Sequence, residues 1–199
     1  MRVEDAAGAV YEGLRALGWR RYLCAMWIVS GELRAVHEDR VSAAEGMLMA
    51  STLRLVRDVV VGGEAVAGAV SDAASLYGQW NVMTSEWSAD VMPGQWNTWM
   101  VFRDLAGEVA AVGPRYESAE RVDLAATDRW REHLPGPLLD DPGEEVDDAS
   151  PVARTLAFLE RAVAGVAGLS EAQLSEAGWD PVLVQEEIFG ESPVPRKEE

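Results

Sequence analysis

The residues whose chemistry could define a site are two histidines, one cysteine, eight tryptophans and a run of carboxylates. His37 stands in His37-Glu38-Asp39, where it could share a metal with Glu32 or Asp39. Di-iron bundles need Glu-x-x-His, and Glu32 is five residues away, so that spacing is missing. His133 follows Trp130 and Glu132. Both histidines fall at expected helix ends, where an exposed polar side chain needs no special role. Cys24 lies inside the apolar run Tyr22–Val29 and reads as a buried, inert thiol. A lone cysteine excludes an internal disulfide and a thiolate metal cluster.

Trp27, Trp80, Trp87, Trp96 and Trp99 could line an aromatic pocket for a cation or a flat ligand. The plainer reading is core packing, because large rings dominate the interiors of helical bundles. Trp179, just before Asp180-Pro181, reads as a part-exposed interface anchor. Asp140, Asp141, Glu144, Glu145, Asp147 and Asp148 offer six carboxylates to a basic surface. They lack the D-x-[DN]-x-[DN]-G register of a calcium loop, and as a solvated loop they need no ligand. No G-x-G-x-x-G, P-loop, H-E-x-x-H or G-x-S-x-G occurs, and no cofactor is implied.

Charge narrows the partner. The chain carries 34 acidic and 17 basic residues, a net of −17. The excess is uneven: residues 140–199 hold 15 acids against 4 bases. Without a basic face to release counterions, nucleic acid is not an expected partner, and anionic membranes are disfavoured in the same way. A basic protein would be steered towards the chain. No apolar run is long enough to cross a membrane. The first residues lack the basic-then-apolar plan of a secretory signal, so the expected location is the cytoplasm.

The positioning elements are helices. Residues 76–112 hold four tryptophans, and Pro93-Gly94 divides the stretch. From Pro93 onward, Trp96, Trp99, Met100, Phe102, Leu105, Ala106, Val109 and Val112 spread around most of the circumference. Only Asn97, Asp104 and Glu108 form a polar strip, so this is the expected central helix. Before it, apolar spacing predicts helices over 5–17 and 20–36. The second starts on Arg20 and Arg21 and ends near Glu38 and Asp39, against the helix dipole. Ser42 and Glu45 form a capping box opening a third helix, which Gly62-Gly63 stops. Residues 64–77 predict a helix of small residues, ended by Gly78 and suited to close packing beside a bulky neighbour. A short helix is expected over 80–90. After Gly113-Pro114 come a helix over about 118–133 and an exposed acidic loop over 135–150. Then follow a helix from Ser150-Pro151 to Gly168, a second capping box at Ser170 and Gln173, and a last helix from Asp180-Pro181 to Phe189. The expected fold is all-α: a single-domain bundle, residues 1–190, of eight to nine helices around the Trp-rich helix, with a disordered tail at 191–199.

The plan resembles the YjaG-like family of small bacterial helical proteins. Leu14 and Leu17 lead to Trp19 and an apolar helix, Leu76-Tyr77-Gly78 precedes an aromatic helix start, and Ser150-Pro151 opens a late helix. The likeness covers residues 14–112 and 151–168. The acidic segment and the tryptophan cluster depart from it, and it brings no functional residue. The chain also resembles, by type, the immunity proteins of bacterial polymorphic toxin systems: small, acidic and free of catalytic motifs, with 16 Arg against Lys197 alone. That resemblance implies a protein that binds and blocks a basic toxin. Two functions are therefore expected in order: a non-enzymatic binder of a basic protein through the acidic loop and Trp179, then a small-molecule binder or enzyme with a Trp-lined pocket.

Overall fold

The computed structural model describes residues 3–36, 41–62, 67–85, 93–112 and 151–174. Those residues form seven helices and no strand: α1 (Val3–Arg15), α2 (Trp19–Val36), α3 (Ala43–Gly62), α4 (Ala67–Ser85), α5 (Pro93–Val112), α6 (Pro151–Ala167) and α7 (Glu171–Leu174). The class is all-α, as the periodicity predicts. The count of seven falls just short of eight to nine. The expected helices at 118–133 and 180–189, the acidic loop and the tail lie outside the described residues.

Local chemistry explains the helix ends. At the close of α1, Ala16 and Leu17 donate to the carbonyls of Gly13 and Leu14, a tightened last turn before Gly18. At the start of α3 the Glu45 amide donates to Ser42 Oγ, and the Ser42 amide donates back to the Glu45 carboxylate. The two orphan donors satisfy each other as the capping box requires. Ser170 and Gln173 repeat the exchange at α7.

One boundary departs from expectation. Gly78 does not end α4, which runs through it to Ser85 and absorbs much of the short helix expected at 80–90. Glycine inside a helix costs up to about 1 kcal/mol. Buried Leu76 and Trp80 on either side of it hold the helix against the core and offset that cost.

Buried residues from all seven helices form one hydrophobic cluster. α4 and α5 make the most extensive helix pair, the close packing foreseen for the small-residue helix. Their approach is set by Gly107 of α5, where an added Cβ would stand 3.0 Å from the ring of Tyr77. α5 also packs on α2 and α3, and it is buried nearly all round, from Thr98 through Val109. Two residues of its polar strip are held by partners. Asp104 is buried beside Arg103, which grips it at 2.7 Å, and Glu108 accepts the Tyr22 hydroxyl proton from α2. α1 lays Val10, Tyr11 and Leu14 into the core, the turn after it adds Leu17, and α1 packs chiefly on α6. α2 touches α1, α3, α5 and α6 and so joins the two sides of the bundle.

Candidate functional site

Between α3 and α4 runs an open groove. α3 presents Met47, Ser51, Arg54 and Asp58 to it, and α4 presents Val82, Gln79, Ser75 and Asp72. Steps of three and four residues put each set on one helix face. The burial of α3 makes this face its outer one: Leu48, Thr52, Leu55 and Val59 turn inward while Met47, Ser51, Arg54 and Asp58 stay exposed. The helices run antiparallel, since Met47 shares one end of the groove with Val82 and Asp58 shares the other with Asp72.

The groove is graded along its length. One end, about 440 Å³, is apolar, with Leu48 and Met83 as its floor and walls and Met47 and Val82 standing 68% and 60% exposed. The other end, about 300 Å³, carries Arg54, Asp58 and Asp72. Among the described residues Asp58, Asp72 and Arg54 take part in no hydrogen bond or ion pair. Met47 and Asp58 are eleven residues apart, which on a helix is about 16 Å. Large exposed apolar side chains beside a carboxylate pair make a surface suited to binding.

The tryptophans take other roles. Trp80 is fully buried, stacks on Phe102 with ring centroids 5.8 Å apart, and donates its indole proton to Thr52 Oγ1. Trp99 is buried on α5. Trp27 and Trp96 are half-buried and pack against the core. None of these four lines either end of the groove. Trp87, His37, His133, the six loop carboxylates Asp140, Asp141, Glu144, Glu145, Asp147 and Asp148, and Trp179 all lie outside the described residues.

Two basic residues at the start of α2 make a separate polar cluster. Arg20 Nε donates to the Val60 carbonyl at 2.7 Å, and Arg21 donates through Nε and Nη2 to the Leu169 carbonyl. Their remaining Nη1 groups each hold one oxygen of Glu171 at 2.8 Å. Both guanidiniums thus turn away from the positive end of α2 towards the carbonyl ends of α3 and α6, where the dipole is negative. This resolves the apparent conflict with the dipole, and the cluster is structural. Cys24 is fully buried, and desolvation raises its thiol pKa to about 12 against a smaller opposing pull from Arg20. Such a thiol is not a nucleophile at neutral pH.

Among the described residues no group of three His, Cys, Asp or Glu could hold a metal, and no helix is long and apolar enough to cross a membrane. No family model, curated protein or solved structure matches the chain. The groove, which the core stripes of the sequence do not reveal, is therefore the candidate site. Its signal was present as the outer i, i+4, i+7, i+11 set on α3, but that set gains meaning only once α4 lies beside it.

Proposed function

We propose that this chain is a non-enzymatic acidic binding protein that occludes a basic protein partner, in the manner of the immunity proteins it resembles by type. The observation that carries this reading is the net charge of −17, concentrated after residue 139. A field of that sign and size accelerates encounter with a basic protein and repels nucleic acid. The unpaired carboxylates Asp58 and Asp72 on the described surface add to it. Asp140, Asp141, Glu144, Glu145, Asp147 and Asp148 supply long-range attraction in this reading, and Trp179 an apolar anchor. The protein acts in the cytoplasm, where a partner's active surface would be covered before it meets its target.

The test immobilises the full chain and measures association of the proteins encoded by the flanking reading frames across a salt series. A basic partner should bind with an on-rate that falls steeply as salt rises, because the Debye length shrinks to about 8 Å at physiological ionic strength. Exchanging the six loop carboxylates for Asn or Gln should slow association while leaving the circular dichroism spectrum intact. Absence of binding by any flanking product, or an on-rate indifferent to salt, would overturn the reading.

A further inference from the structure

We propose that the α3–α4 groove is a docking site for an amphipathic helix of the basic partner, with an apolar anchor at one end and an Arg or Lys three turns away. This rests on the reading of the chain as a binder of a basic protein and names the surface that does the binding.

The argument comes from the gradient along the groove. Its two walls change character in the same direction: Met47 and Val82 line one end, Ser51 and Gln79 are shared by both ends, and Arg54, Ser75, Asp58 and Asp72 line the other. A helix lying between them would meet apolar side chains, then neutral polar ones, then carboxylates. Helix-in-groove recognition reads anchors at i, i+3 or i+4, and i+7 in this way. Leu or Met anchors would cover Met47 and Val82, which are more than half exposed and have nothing over them among the described residues.

The charged end selects the sign of the occupant. Asp58 and Asp72 outnumber Arg54, and among the described residues none of the three has a hydrogen-bond or ion-pair partner. A cation about eleven residues along the incoming helix, roughly 16 Å, reaches this end when the anchor is seated at the other. Arg fits best, since its planar fork can serve a carboxylate on each wall. A second copy of the chain is the wrong occupant, because it would bring a net charge of −17 against another −17. An acidic or purely apolar helix would leave the two carboxylates uncompensated.

The experiment uses the full chain and a fluorescein-labelled, alanine-based helical peptide of 18 residues. The peptide has leucines at positions 3 and 7 and arginines at positions 14 and 15. Anisotropy titration should show saturable one-to-one binding. Replacing the leucines by alanine, or Met47→Glu together with Val82→Glu on the protein, should weaken it at least tenfold. Asp58→Asn with Asp72→Asn should weaken it about fivefold and flatten its salt dependence. These surface changes leave the helices folded, and the far-ultraviolet spectrum of each variant checks this. Equal binding of a scrambled peptide of the same composition would show mere charge attraction and overturn the groove. So would absence of saturable binding, or indifference to Met47→Glu with Val82→Glu. Sedimentation equilibrium showing a dimer that Met47→Glu dissociates would overturn it in favour of self-association. If a flanking-gene partner binds the Met47→Glu, Val82→Glu variant as tightly as the wild type, the groove proposal falls and the binding function stands.

Discussion

Trp80 on α4 donates its indole N–H to the hydroxyl of Thr52 on α3, 3.0 Å away, and both side chains are fully buried. Thr52 passes its own proton to the Leu48 carbonyl at 2.9 Å. The first bond ties together the helix pair whose outer faces make the groove, and the second, within α3, fixes the direction of the Thr52 hydroxyl. Trp99, on α5, is the counter-case, since its buried Nε1 has no hydrogen-bond partner among the described residues.

The contrast predicts different costs for the same substitution. Trp80→Phe removes a made hydrogen bond and some packing and should destabilise by about 1–2 kcal/mol. Trp99→Phe removes an unsatisfied donor and should cost less than Trp80→Phe. Alanine at either position should cost roughly 3–5 kcal/mol. Guanidinium denaturation midpoints at equal slope order the four variants. Trp99→Phe costing more than Trp80→Phe would show that the two indoles are not distinguished by bonding.

Two glycines should respond in opposite directions to alanine. A Cβ at Gly13 would lie 2.8 Å from Val163 Cγ1, so Gly13→Ala should force α1 off α6 and cost about 1–3 kcal/mol. A Cβ at Gly78 would meet nothing within 4 Å, and the residue sits inside α4. Gly78→Ala should therefore stabilise by about 0.5–1 kcal/mol. Thermal melts of the pair check both signs.

Cys24 should be inert in the folded chain. Burial raises its thiol from the ordinary 9.0 to about 12. Below pH 9 the thiol is protonated in both states, and its contribution to stability is constant. Between pH 9 and 12 the unfolded thiol ionises while the folded one resists, so stability falls with rising pH. Cys24→Ala should remove that part of the alkaline loss. A thiol reagent at pH 8 should label the native chain far more slowly than the denatured one.

The arginine cluster should divide into a strong part and a weak part. Arg20 is only 15% exposed and caps the end of α3, so Arg20→Ala should cost about 1–3 kcal/mol through the unmet Val60 carbonyl. Glu171 is 60% exposed, and Glu171→Gln should cost under about 1 kcal/mol, less at high salt. Urea unfolding at two salt concentrations separates the two.

Much of this fold was legible because its signals are local. The two capping boxes and the apolar stripes of α1, α3, α5 and α6 act within a few residues, and the helix ends follow them closely. Gly78 reads as a stop in the sequence, yet a glycine's effect depends on what its neighbours bury, and Trp80 buries completely. Arg20 and Arg21 looked misplaced because their acceptors, Val60 and Leu169, come from distant turns. The groove stayed hidden for the same reason. Met47 and Val82 are ordinary apolar residues in sequence, and only the pairing of two helices leaves both uncovered.

The Arg20–Glu171 bridge joins residues 151 positions apart, and α1 finds its main neighbour in α6 rather than in α2. The order of synthesis is therefore at odds with the order of assembly. As the chain leaves the ribosome, α1 emerges well before α6 and must wait with Val10 and Leu14 uncovered until about residue 170 has followed. Non-local closure of this kind raises contact order and slows the last folding step. Nascent chains stopped before α6 should remain protease-sensitive, whereas those released beyond Leu174 should become resistant together over α1, α2 and α6.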